Sequence, residues 1–167
     1  SYYILKFNFS GLITETEDSL IESFSQACNK AYDEFVNKYS LNIDYKIMKY
    51  PSDTFNMFLG KVRFKIDKPI YVIIDEYDHF ANELLSFKTE LFSNLVSKTG
   101  FIRKWYEVLK IGTESIVSRI FATGVSPITL DSLTSGFNIS TDITRYERFN
   151  EMIGFTEEEV RNLIKRT

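Results

Sequence analysis

The stretch PIYVIIDEYDHFANELL, residues 69–85, constrains the fold more than any other part of the chain. Five consecutive apolar residues, Ile70 to Ile74, run straight into Asp75 and Glu76, and a helical pattern follows Asp78. A run of that length with no polar alternation predicts a strand covered by helices on both faces. It is expected inside a parallel sheet.

The rest of the chain supplies the alternating elements that such a sheet needs. Residues 2–9, YYILKFNF, are a β-forming run closed by Ser10-Gly11. Residues 17–39 place Leu20, Ile21, Phe24, Ala27, Cys28, Ala31, Tyr32, Phe35, Val36 and Tyr39 on one stripe of a helix, capped by Thr14 or Thr16. A second helix is expected from Ser52 or Asp53 to about Ile66, with Phe55, Phe58, Leu59 and Val62 inward. FIRKWYEVLKI, 101–111, is amphipathic and stops at Gly112; its Trp105 and Tyr106 are expected to pack the helix on the sheet. IVSRIFAT, 116–123, is the third strand, ended by Gly124. A polar helix capped by Thr156 runs to the end. Strand and helix in alternation give an α/β fold with a mainly parallel sheet.

Composition narrows the function classes. Twenty basic and 23 acidic residues alternate to a net charge of -3 with no basic stripe, so broad attraction to nucleic acid is not indicated. A single cysteine, Cys28, permits neither an internal disulfide nor a cysteine-based zinc site, and the single His79 cannot anchor a multi-histidine centre. No stretch has the length of a membrane span and no signal peptide is visible, so a soluble, reducing, cytoplasmic setting is expected. The chain opens at Ser1 and is in a strand by Tyr2, which reads like a piece of a longer protein.

Ligands of open parallel sheets bind at the carboxyl ends of the strands, where Asp75 and Glu76 are expected. A hydrophobic strand closing in Asp-Glu is the Walker B pattern of P-loop ATPases. There the Asp holds Mg²⁺, because a hard cation takes oxygen ligands, and the Glu polarises the attacking water. Strand alternation turns the two side chains opposite ways and gives them different jobs. The same letters also occur where a core strand emerges into a charged loop, and VIIDE alone does not choose. IFATG, 120–124, adds a second apolar strand ending in Thr123, a hydroxyl placed beside the pair, where such ATPases keep a γ-phosphate sensor.

The stretches IIDEYDHFANELLSF, KTGFIRKWYEVLKIGTES, RIFATGVSPITLDSLTSGFNISTDIT and FNEMIGFTEEEV closely resemble the bacterial AAA-ATPase-like family, in which an ATPase half is commonly followed by a PD-(D/E)XK nuclease-like domain. The resemblance runs from about residue 2 to the end. It implies that residues 1–167 are a partial ATPase-like domain: a three-layer P-loop sheet with helices on both faces. It also implies a Mg²⁺-ATP site with Asp75 on the metal and Glu76 and Thr123 catalytic. Asp78 belongs to the family's DEYD and is read as a loop tie, a contact to a water around the ion, or a cap of the helix that follows. Arg119, Arg145 and Arg148 are read as surface residues or phosphate contacts, and Ser126, Ser135 and Asn138 as loop residues beside the pocket.

The sequence departs from this pattern in one respect. A P-loop requires G-x-x-x-x-G-K-[ST], and the only Gly-Lys pair, Gly60-Lys61, has Phe55 in place of the first glycine and Val62 in place of Ser/Thr. The family places that motif upstream, on a first strand. The chain would then supply strands in the spatial order 4-3-2, lacking the first strand and the phosphate cradle. Three expectations follow. The isolated chain does not hydrolyse ATP or hold Mg²⁺-ATP tightly. Its partners are the upstream P-loop segment and a downstream nuclease-like domain. Strand 116–123 exposes an edge that pairs with a second copy or is covered. A non-catalytic interaction module on the same fold, or a stand-alone metal site on Asp75, Glu76 and Asp78, are the readings from other function classes.

Overall fold

The computed structural model describes residues 1–81, 84, 100–125, 139–149 and 154–165. Its elements in chain order are β1 (Tyr3–Asn8), α1 (Glu17–Lys38), α2 (Pro51–Val62), β2 (Ile70–Asp75), α3 (Phe101–Gly112), β3 (Val117–Ala122), a 3-10 turn (Glu147–Phe149) and α4 (Glu157–Ile164). Among the described residues the sheet has three strands in the order β1-β2-β3, all parallel. The apolar pentad is thus the central strand of the three, and among the described residues β3 stands at an edge. Tyr3, Leu5 and Phe7 register with Ile70, Val72 and Ile74. A one-residue shift between Ile70 and Tyr71 lets Ser118 bulge, after which Ile73 faces Phe121 and Ile74 faces Ala122.

Local chemistry explains the helices. Thr16 caps α1 by accepting from the Ser19 N–H while the Ser19 hydroxyl accepts from the Thr16 N–H, so a serine fills the place usually held by Glu or Gln in a capping box. At the other end Ser40 adopts φ 50°, and the N–H groups of Leu41 and Ser40 reach the carbonyls of Val36 and Asn37. That is a Schellman closure built on a serine, where glycine is the common choice. Helix α2 starts at Pro51, earlier than expected, because proline's fixed φ and missing N–H suit the first helical position. It ends at Val62, not Ile66.

The core is aromatic. Phe7 makes edge contacts with Tyr32 of α1 (5.8 Å between ring centres), Phe55 of α2 (5.6 Å) and Trp105 of α3 (4.9 Å). Phe9 stacks on Phe24 at 4.7 Å, and Phe55 stacks on Trp105 at 4.9 Å. Each such pair adds about 0.5–1.5 kcal/mol beyond the area it buries. Cys28 and Tyr106 are buried among them, as the helical stripes predict, and burial pushes the Cys28 thiol well above its usual range.

All three of these helices meet the sheet on the face of Leu5, Phe7, Phe9, Ile70, Val72 and Ile74. On the opposite face Ile4, Tyr71 and Ile73 are half-buried, and Lys6 and Asn8 are exposed. Among the described residues the packed helices lie on one face of the sheet, and residues 85–99, which follow β2, lie outside the described residues. On β1, Lys6 and Asn8 alternate with the core residues and give the opposite face polar character. No described helix is long and apolar enough to cross a membrane.

Candidate functional site

The sheet carries a polar row at its carboxyl rim. Asp75 ends β2, and its carbonyl accepts from the Phe9 N–H at 3.0 Å, which fixes its backbone in the ladder to β1. On the other side the Thr123 N–H donates to the Ile74 carbonyl (2.8 Å), and the Tyr77 N–H donates to the Thr123 carbonyl (3.0 Å). The exit of β3 is thereby held by residues before and after the acidic pair. This register brings the Thr123 hydroxyl to Asp75, donating to Oδ1 at 2.7 Å. The other carboxylate oxygen, Oδ2, lies 3.8 Å from Nζ of Lys6 on β1. Each oxygen of Asp75 thus has its own partner, from the strand on either side.

Glu76 is not a strand residue. Its φ of 54° puts it in the left-handed region, so the chain turns sharply after Asp75. The two carboxylates are separated by this backbone step and not by strand alternation, which corrects the expected cause of their divergence. For a side chain other than glycine that region costs about 1–2 kcal/mol. The Glu76 side chain is 48% exposed and its Oε2 lies 3.3 Å from Nδ1 of His79.

Asp78 is a buried tie, 1% exposed, and its Oδ2 accepts from the Val125 N–H at 2.9 Å. Of its three sequence readings this matches the loop tie, and it joins the chain leaving β2 to the chain leaving β3. Gly124 makes the approach workable. A Cβ there would fall 2.5 Å from Asp78 Oδ1 and 2.7 Å from Cδ1 of Tyr77.

The arginines go elsewhere. Arg119 registers with Tyr71, below the rim, donating from Nε to the Tyr2 hydroxyl (3.1 Å) with its guanidinium over the Tyr2 ring. Arg148 lies over Phe149, 4.5 Å from its centre, and Arg145 is exposed. Ser126, Ser135 and Asn138 lie outside the described residues.

The donor set decides what could bind. Among the described residues no three His, Cys, Asp or Glu side chains form a metal-holding group, so a stand-alone cage on Asp75, Glu76 and Asp78 is not supported. A carboxylate beside a hydroxyl at a sheet rim does suit a hard cation that takes one protein carboxylate and completes its shell with ligand and water oxygens, the habit of Mg²⁺. Of the residues named from the sequence, Asp75 and Thr123 are brought together and Glu76 turns away beside His79; Lys6 is not anticipated, because its place depends on strand register.

Residues 1–134 match the family described as "Predicted AAA-ATPase". No curated protein and no solved structure gives a significant match.

Proposed function

The chain belongs to the predicted AAA-ATPase family, and from that membership we propose that it carries the cation-holding and water-activating half of an ATP site. The observation that supports this most is the bond from Thr123 Oγ1 to Asp75 Oδ1 at the rim of a central parallel strand. It sets a carboxylate and a hydroxyl side by side where open sheets receive ligands.

In this reading Asp75 is the Walker B carboxylate and would hold Mg²⁺ together with the phosphates of ATP. The ion, when bound, neutralises charge on the phosphate oxygens. Thr123 fixes the carboxylate's orientation and offers its hydroxyl to the γ-phosphate side, the part of a sensor. Glu76, carried out of the strand by its left-handed backbone and flanked by His79, accepts the proton of the attacking water on its carboxylate. The sheet β1-β2-β3 corresponds to strands 2, 3 and 4 of a P-loop sheet, and the domain couples nucleotide state to a change of shape in a larger protein.

The 167 residues contain no G-x-x-x-x-G-K-[ST]. The backbone cradle and lysine that grip β- and γ-phosphates are to be sought on other polypeptide. Alone, this chain is expected to hydrolyse ATP no faster than buffer. Joined to a segment bearing a P-loop it is expected to turn ATP over, with Glu76→Gln abolishing hydrolysis while nucleotide stays bound. Turnover by the isolated chain that Glu76→Gln removes would refute the division of labour. Turnover by the joined protein that Glu76→Gln and Asp75→Asn both leave intact would refute the site.

A further inference from the structure

We propose that Lys6 is a resident counter-cation of Asp75, which a divalent ion must displace, so that Lys6 sets how readily the site loads. The inference rests on the reading of Asp75 as the metal-holding carboxylate and adds a residue to it.

The geometry is a row of three side chains on three parallel strands. Lys6 on β1, Asp75 ending β2 and Thr123 leaving β3 are linked at 3.8 Å and 2.7 Å. The two partners of Asp75 differ in what they do to an arriving cation. Thr123 donates a hydrogen bond and keeps an oxygen lone pair for a metal or its water. Lys6 has three donors and no acceptor, carries the charge of a cation, and stands against the oxygen that Thr123 leaves open. An ion seeking that oxygen meets an ammonium in its place.

Exposure makes the device reversible. The Lys6 and Asp75 side chains are 57% and 41% exposed, so water screens the pair and the lysine can swing away on its four-carbon stem without leaving a buried charge. A fully buried pair would lock the carboxylate; a fully solvated one would not compete. At about 4 Å a divalent ion and an ammonium repel even in water, and physiological salt removes about half of that repulsion. Deleting the charge is thus worth about a five- to tenfold gain in cation affinity.

The test is a Mn²⁺ titration of the full 167-residue chain without nucleotide, followed by paramagnetic broadening of the amide signals of Asp75 and Thr123. It is run on the wild type, Lys6→Gln, Lys6→Arg and Asp75→Asn, with thermal unfolding of each to check the fold. Lys6→Gln is expected to tighten Mn²⁺ binding about five- to tenfold and to flatten its dependence on monovalent salt. Lys6→Arg, which keeps the charge, is expected to stay within about twofold of wild type. Asp75→Asn is expected to abolish the broadening. If Asp75→Asn abolishes it while Lys6→Gln leaves affinity unchanged or weaker, Lys6 is not a competitor and this inference falls, with Asp75 still the ligand. If broadening persists in Asp75→Asn, the assignment of Asp75 falls and this inference falls with it; if no variant, Lys6→Gln included, shows broadening up to millimolar Mn²⁺, Lys6 does not set the loading of the site and this inference falls, while Asp75 can still hold an ion together with ATP.

Discussion

Two glycine-to-alanine substitutions should move stability in opposite directions. At Gly124 a methyl group would sit 2.5 Å from Asp78 Oδ1 and 2.7 Å from Tyr77 Cδ1, against an ordinary contact of 3.4–4 Å. Both neighbours are buried, Tyr77 at 5% and Asp78 at 1%, so neither can step aside into solvent, and the chain leaving β3 must lift by about 1 Å. Overfilling a packed site costs about 1–3 kcal/mol. Drawing the Val125 N–H away from a buried carboxylate costs a further 1.5–3 kcal/mol or so. Gly124→Ala should therefore lose about 2.5–6 kcal/mol, which in a chain of this size lowers Tm by roughly 5–24 °C. At Gly60, in α2, the added methyl meets nothing within 4 Å. There alanine's helix propensity should give about 0.5 kcal/mol or a little more. Urea unfolding followed by circular dichroism reads both, with equal m-values required for the comparison. A Gly124→Ala protein within about 0.5 kcal/mol of wild type would refute the packing argument.

Trp105 is the only tryptophan, wholly buried, in contact with rings from β1, α1 and α2. Trp105→Ala should cost about 3–5 kcal/mol, measured by the shift of the urea midpoint. High pH should unfold the chain through its tyrosines. Burial raises Tyr32 and Tyr106 well above the ordinary value of 10, and burial together with the Asp33 hydrogen bond raises Tyr45. Because the folded values are the higher ones, their contribution is complete below about pH 10, where the unfolded hydroxyls begin to ionise, and is lost as pH climbs through the folded values. Absorbance at the tyrosinate band should accordingly rise in two phases, the second coincident with loss of circular dichroism; ten tyrosines ionising together with no loss of fold would contradict the burial.

Much of this architecture can be read from the letters because single elements have strong periodicity. Ile70–Ile74 announces the central strand, the stripe from Leu20 to Phe35 announces α1, and Thr156 with Glu159 announces α4 with its capping box. What escapes the sequence depends on distant partners. Nothing in YYILKFNF says that its lysine will lie against Asp75, since that follows from the pairing of β1 with β2. Asp78 meets a backbone N–H 47 residues away, which no local rule anticipates. The turn at Glu76 was hidden for another reason: a glutamate gives no hint of positive φ, and strand alternation offered an adequate account of two adjacent carboxylates. The polar alternation of Lys6 and Asn8 is carried by β1 and is invisible in the apolar run of β2.

The left-handed residue at position 76 has a consequence for how such a domain can diverge. Glycine, asparagine and aspartate sit in that conformation with little penalty, whereas valine, isoleucine and threonine resist it. Descendants freed from any need to activate water would gain stability by drifting toward the first group at this one spot, while the preceding Asp75 remains acceptable to the ladder. On the proposed reading of Glu76 as the water-activating carboxylate, a glutamate at such a bend concedes stability to chemistry, and glycine in its place would be the fossil mark of a domain that keeps its shape and has given up its reaction.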